Sequence, residues 1–279
     1  MANIAQHDLS RPRAPGVSHG PAALPDPALA VPAAGWAAAT DAGRSRTHNE
    51  DCWRACPEAG VFVLADGMGG YNAGEVASGM AADTVVESLA GALPGTPGDQ
   101  AAAALVRALE RANGAILACA ARRPECLGMG TTIAVVVLAG HTAALAHVGD
   151  SRVYLHRAGE LVRLTRDHSL GQAMVDAGLA GEGAGRGPAL RGVLTRALGV
   201  GPVADPDVAV LSVRDGDRLL LCSDGLTDLV SDETIGGLLG WGECADATAR
   251  RLIDAALDAG GLDNVTALVV DVGAVTPER

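Results

Sequence analysis

Apolar residues along this chain fall into two kinds of run. Short blocks rich in Val, Leu and Ala have the length and character of strands: Trp36–Thr40, Val61–Ala65, Leu161–Leu164, Val208–Val213, Arg218–Ser223 and Val265–Val270. Cys52–Trp53 resumes a strand before a turn at Pro57–Gly60. Three more blocks, Gly130–Leu138, Thr142–Val148 and Ser151–His156, are separated only by Ala139–His141 and Gly149–Asp150, which predicts a meander of antiparallel strands. Longer stretches repeat with helical spacing instead. Val76, Met80, Thr84 and Leu89 form one such set; Leu105, Leu109, Ala112, Ile116 and Ala120 form another beyond the breaker Pro94–Gly98, so two amphipathic helices are expected to pair antiparallel. Further helices are expected over His168–Ala177, stopped by Gly178, and over about Ala245–Ala259. Runs of strands alternate with helix pairs rather than with single crossover helices. The expected fold class is therefore α+β, with antiparallel sheets packed together and covered by helices, not a doubly wound parallel sheet.

The ends of the chain carry no such pattern. Met1 to about Ala34 holds Pro12, Pro15, Pro21, Pro25, Pro27 and Pro32 among Ala, Ser and Gly, the composition of a disordered tail. One compact domain over residues 35–274 is expected to follow, then a short tail over 275–279. Within it, Gly181–Gly192 carries five glycines and no apolar period, the marks of a mobile loop.

Charge and composition narrow the chemistry. A net charge of −12 disfavours nucleic-acid and polybasic membrane roles and suits a cation site. All 21 basic residues are Arg, which removes phosphate-loop, Schiff-base and general-base lysines together. The six cysteines form no CxxC pair and read as reduced thiols. With no basic, apolar leader, and with Ile133–Ala139 as the longest apolar run, a soluble, cytoplasmic, monomeric protein is expected.

The stretch Val61–Gly70 ends an apolar strand in Asp66-Gly67-Met68-Gly69-Gly70, whose glycines leave room for close backbone approach to a ligand. Arg218–Ser223 ends likewise in Asp224-Gly225, and Asp263-Asn264 opens the last strand. Antiparallel neighbours place the end of one strand beside the start of the next, so Asp66, Asp224 and Asp263 are expected at one sheet edge, with Glu50 joining from the polar loop Asp41–Asp51. Oxygen donors without thiolate or imidazole suit Mg²⁺ or Mn²⁺.

Seven blocks taken in order resemble the metal-dependent protein phosphatase family (PPM, the type 2C serine/threonine phosphatases) in its compact bacterial form, over about Trp36 to Val272. They are Arg46–Asp51, Asp66–Gly70, Gly128–Thr132, Gly149–Arg152, Leu194–Gly199, Ser223–Asp228 and Asp263–Thr266. The resemblance implies an α-β-β-α sandwich of two antiparallel sheets flanked by helix pairs, with a flap over about 166–199. It also implies two Mn²⁺ or Mg²⁺ ions: Asp66 bridges them, Glu50 and the Gly67 carbonyl serve one, and Asp224 and Asp263 serve the other. A metal-bridging hydroxide then hydrolyses phosphoserine and phosphothreonine on proteins, opposing a bacterial Ser/Thr kinase, while Arg46 grips the phosphate. In bacterial relatives the positions matching Asp150 and Asp228, with Asp224 shared, hold a third ion.

The sequence departs from the animal pattern at Met68, where those members carry a His that protonates the leaving group. His48, His147 and His168 read as packing or loop residues, and Arg186–Ala189 matches the family only loosely. Two other classes compete with the enzyme: a non-catalytic phosphoprotein-binding scaffold of the same fold, and a structural cation-binding domain. Three mutually repelling carboxylates argue against the first, and the Arg46 block is surplus to the second.

Overall fold

The computed structural model describes residues 33–69, 73–90, 98–181, 190 and 192–273. Residues 1–32 of the expected N-terminal tail, the expected tail 275–279, Pro94–Pro97 of the breaker, Gly70 and Arg186–Ala189 lie outside these residues, as does most of the Gly181–Gly192 segment.

Among the described residues the strands form two antiparallel sheets. The first runs in the order β1 (Ala33–Asp41), β11 (Val265–Val272), β10 (Arg218–Cys222), β7 (Arg152–Arg157), β8 (Glu160–Arg163). The second runs β2 (Asp51–Cys56), β3 (Val61–Met68), β5 (Ile133–Ala139), β6 (Thr142–Val148), β9 (Asp207–Ser212), with the two-residue β4 (Gly130–Thr131) pairing β3 beyond the end of β5. Helices α1 (Ala73–Ala90) and α2 (Gly98–Arg122) cover the second sheet. Helices α5 (Asp232–Gly240) and α6 (Ala245–Asp258) cover the first. The short α3 (Leu170–Asp176) and α4 (Asp224–Thr227) follow β8 and β10.

Strict alternation along the strands builds these four layers. In β3, Phe62 and Leu64 enter the core between the sheets, whereas Val61, Val63 and Ala65 face α1 and α2. In β11, Leu268, Val270 and Val272 face the other sheet while Val265, Ala267 and Val269 meet α5 and α6. Both faces of the central strands are buried, which is why they read as unbroken apolar runs. Trp36 of the first sheet packs edge-on to Trp53 of the second, with ring centroids 6.0 Å apart, and lies 6.1 Å from Phe62, so aromatic rings join the sheets at that margin.

Several expectations are corrected. The third strand of the expected meander, β7, leaves β6 at Gly149–Asp150 and enters the opposite sheet beside β10, because its Val153 and Leu155 complete the inter-sheet core from the other side. The stripe of α1 is Ala77, Ala81, Ala82, Val85 and Leu89, not Val76, Met80 and Thr84, which are only partly buried. Small residues win there because the helix lies close on β3. Helix α5 was not expected, although Ser231 caps it by accepting a hydrogen bond from the Thr234 N–H, and Asp232 and Glu233 occupy its first turn. Strand β1 begins at Ala33, within the expected tail, where Ala33 pairs with Val272. The helix expected from His168 starts at Leu170, behind the Ser169 cap.

Candidate metal centre

Asp66 lies within β3 rather than beyond it, directly opposite Asp51 in the β2–β3 register. Asp224 is the first residue of α4, and Asp263 precedes β11 by two residues. All three, with Arg46, Glu50, Gly67 and Asp150, line one cavity of about 180 Å³ at the end of both sheets. Asp228 lines an adjoining cavity of about 350 Å³ that shares Asp150 and Asp224 with the first.

The glycines of the two Asp-Gly pairs also admit neighbouring backbone. A Cβ on Gly67 would sit 2.2 Å from the Gly74 carbonyl oxygen and 2.7 Å from that of Glu50, and one on Gly225 would sit 2.0 Å from the Asn264 carbonyl oxygen. The space is filled by the protein's own backbone, so the glycines let chain segments close around the acids. The Gly67 N–H donates to the Glu50 carbonyl at 3.1 Å, and Ser78 Oγ donates to the same oxygen at 2.6 Å, which sets the height of Glu50 beside β3.

Residues without an assigned role in the sequence reading complete the frame. Asn264 accepts a hydrogen bond from the Glu50 N–H (2.9 Å) and donates to the carbonyls of Ala42 (3.0 Å) and His48 (2.8 Å), so it ties the Arg46–Glu50 loop to the start of β11. Asp51 Oδ2 accepts from Ser223 Oγ (2.8 Å) and Thr266 Oγ1 (2.7 Å), joining the second sheet to the first beneath the cavity. Thr132 Oγ1 accepts from the Asp66 N–H at 3.1 Å and bonds Ser151 Oγ at 2.7 Å. Polar side chains next to motif acids were the available signal.

Electrostatics strain this cluster. Burial, then the charges of Asp51, Asp224, Asp150 and Asp263, push the Asp66 carboxyl well above its ordinary range. Asp224 is raised likewise by burial and by Asp150, Asp228 and Asp263. Burial and Asp167 push Asp150 up to about 7, and burial pushes Asp51 up to about 6 despite its two hydroxyl donors. Burial also raises Glu50, against the pull of Arg46. Arg46 Nη2 donates to Asp263 Oδ2 at 2.8 Å, which places it at the cavity wall and raises its own pKa. Asp51 Oδ1 is buried with no hydrogen-bond donor. Crowded, partly desolvated carboxylates with an orphaned oxygen fit hard divalent cations such as Mg²⁺ or Mn²⁺.

Two histidines stand apart from this cluster. His147 and His168 are buried and stacked, centroids 4.6 Å apart, near Asp207. His168 Nδ1 accepts from the Gly149 N–H at 3.2 Å, which leaves the proton on Nε2 facing Asp207 Oδ2 at 3.3 Å. Arg196, 2.9 Å from Asp207 Oδ1, already supplies a cation there. The stacked pair fastens the Gly149–Asp150 turn to the Arg166 carbonyl and to Asp207 at the start of β9. Beside that turn, Arg152 forms a bidentate pair with Asp167 at 2.9 and 2.6 Å.

A four-layer α-β-β-α sandwich with an acid cluster at one end of its two antiparallel sheets is the architecture that the sequence resemblance implied. The chain belongs to the protein phosphatase 2C family, which residues 40–256 match. It is 44% identical over 237 residues to the serine/threonine protein phosphatase PstP of Mycobacterium tuberculosis, an alignment covering 85% of this chain and 45% of PstP. This chain thus spans under half the length of that relative. It is 36% identical over 246 residues to protein phosphatase PhpP of Streptococcus pneumoniae, covering 84% of this chain and 95% of PhpP. The catalytic domain of PstP in complex with two manganese ions superposes with a TM-score of 0.77 at 40% identity, covering 85% of this chain and 97% of that one.

Proposed function

We propose that this chain hydrolyses phosphoserine and phosphothreonine on proteins, using two Mn²⁺ or Mg²⁺ ions held at the shared end of its sheets. The observation that carries this reading is the convergence of Glu50, Asp66, Asp224 and Asp263 with Arg46 on one cavity of about 180 Å³. Asp66 would serve both ions, Glu50 and the Gly67 carbonyl one, and Asp224 and Asp263 the other. When bound, such a pair supplies Lewis-acid charge and a water made nucleophilic near neutral pH. The named relatives and the two manganese ions in the PstP complex support this choice.

The chain's own residues do the rest. Arg46 orients the phosphate by its planar guanidinium, of which Nη2 is held by Asp263. Met68 lines the cavity without an acidic proton, so the leaving alkoxide is protonated from water. Asp150, Asp224 and Asp228 would hold a third ion at the junction of the two cavities. Phosphoproteins, a Ser/Thr kinase and its substrates among them, are the partners proposed, and a cytoplasmic monomer the working state. No helix among the described residues is long and apolar enough to cross a membrane. A phosphoprotein-binding scaffold of the same fold is the alternative, disfavoured because it has no use for acids held against their own repulsion.

The deciding measurement is hydrolysis of p-nitrophenyl phosphate and of a phosphothreonine peptide with Mn²⁺, then with excess chelator. Turnover that needs the metal is expected on both. Peptide binding without turnover would establish the scaffold instead.

A further inference from the structure

A groove of about 580 Å³ opens from the catalytic cavity, sharing Met68, Gly192 and Leu194 with it, and continues past Val193, Val200 and Val203. Those three valines are exposed by 43%, 66% and 65%, an unusual amount of branched apolar surface for one short segment. The segment is not loosely held. Buried Asn113 of α2 accepts from the Gly199 N–H at 2.7 Å and donates to the Gly201 carbonyl at 2.9 Å, gripping the backbone on both sides of Val200. Leu198 and Thr131 exchange two backbone hydrogen bonds, of 3.0 and 2.9 Å, which fix the same segment to the strand end beside Asp66. A firmly held backbone therefore keeps apolar side chains in solvent, next to the site of chemistry.

We infer that this groove selects substrates, by taking an apolar side chain that flanks the phosphorylated residue. The inference rests on the phosphoprotein reading above. A polypeptide whose phosphate lies over Asp66 must leave the cavity across a rim. The other rim, at Asp150, Asp224 and Asp228, is lined with charge and continues into the neighbouring cavity with Arg152, Arg163 and Asp167. The groove's own lining carries one charge of each sign, Arg196 and Asp205, paired at 3.3 Å, while Asp207, 2.9 Å from Arg196, lies outside that lining. Little net charge is left there to read an acidic or basic neighbour. What remains to be read is apolar area, and burying a leucine-sized side chain against these valines favours the substrate that carries it. Because the contact lies outside the reacting centre, a small aryl phosphate cannot use it.

The test uses phosphothreonine peptides of serine and glycine in which one leucine is walked from three residues before to three residues after the phosphothreonine. With Mn²⁺, leucine at one or two positions on one side should raise kcat/KM on the order of tenfold over serine. In the Val200→Ser/Val203→Ser double variant that gain should fall to near one, while turnover of p-nitrophenyl phosphate and of the all-serine peptide stays at the wild-type value. Both valines are solvent-exposed, so the fold is expected to survive, checked by the melting temperature. Val203→Leu, which keeps the apolar surface, should retain the gain. A leucine effect absent at every position, or one that persists in the double variant, overturns the groove assignment while leaving the phosphatase reading intact. Failure of the wild-type protein to turn over any phosphate monoester overturns both.

Discussion

Asp66 and Asp224 each work against the fold when no cation is present, because desolvation and neighbouring carboxylates disfavour their charged forms. Asp66→Asn and Asp224→Asn should therefore lower Mn²⁺-dependent turnover by several orders of magnitude yet raise the melting temperature measured in chelator. Relief of about 1 kcal/mol corresponds to roughly 2–4 °C in a chain of this size. Near-normal turnover in either variant would remove that residue from the centre. Asp150, which like Asp224 lines both cavities, tests whether the proposed third-ion position is distinct from the main centre. Asp150→Ala should keep two tight Mn²⁺ ions by calorimetry while kcat falls about tenfold, about 1.4 kcal/mol in the barrier. Loss of the tight ions would make Asp150 part of the main centre, and full activity at limiting Mn²⁺ would dispose of a third ion. These acids were visible in the sequence because each adjoins a glycine or asparagine at a strand end. Asp51 and Asn264 stood inside the same motifs, but nothing local said that one would bind hydroxyls of the opposite sheet and the other would anchor a loop more than 200 residues away.

Just after β10, Gly225 lies in the first turn of α4, and the start of β11 passes directly over that turn. An alanine there would place its Cβ 2.0 Å from the Asn264 carbonyl oxygen, in rigid backbone. Gly225→Ala should therefore push β10–α4 and the β11 start apart, displacing Asp224 and the Asn264 anchor of Glu50 together, and so weaken both Mn²⁺ affinity and thermal stability. Gly114, on the exposed face of α2 with nothing within 4 Å of a built Cβ, provides the contrast. Gly114→Ala should stabilise by about 1 kcal/mol through helix propensity, raising the melting temperature roughly 2–4 °C with activity unchanged. If both substitutions had the same effect, close packing at Gly225 would not be what the turn requires. Elements were legible where one face is apolar and the other wet, as in α2. In α1 the buried stripe is mostly alanine, and its placement follows from how closely the helix lies on the sheet, which spacing alone does not encode.

At the scale of the whole molecule, folding brings Asp51, Asp66, Asp150, Asp224 and Asp263 into one charge cluster, so stability without metal must depend on pH. In the folded protein Asp51 is raised to about 6 and Asp150 to about 7, against about 3.9 in an unfolded chain. A carboxyl raised on folding supports the fold below its unfolded value, and that support is lost as pH climbs through its folded value. Buried His147 and His168, whose pKa values are lowered, act in the opposite sense as pH falls below about 6.5. Their contribution is present with or without metal, so the gap between melting temperatures in Mn²⁺ and in chelator isolates the acids. That gap should widen from pH 5 to pH 8; a gap independent of pH would mean that the ions do not bind at these carboxylates. The amino-acid sequence by itself determined the strand and helix identities of most of the described chain, the antiparallel class, the acids that line the candidate site and the absence of lysine chemistry, because alternation, helical spacing and residue type are local properties. Only the tertiary structure decided that β7 crosses to the opposite sheet, that Asp51 and Asn264 hold the acids in place, that Gly67 and Gly225 admit neighbouring backbone, and that exposed valines border the cavity. Each of these depends on which surfaces meet across long separations, and continuously apolar strands buried on both faces carry no local mark of their partners.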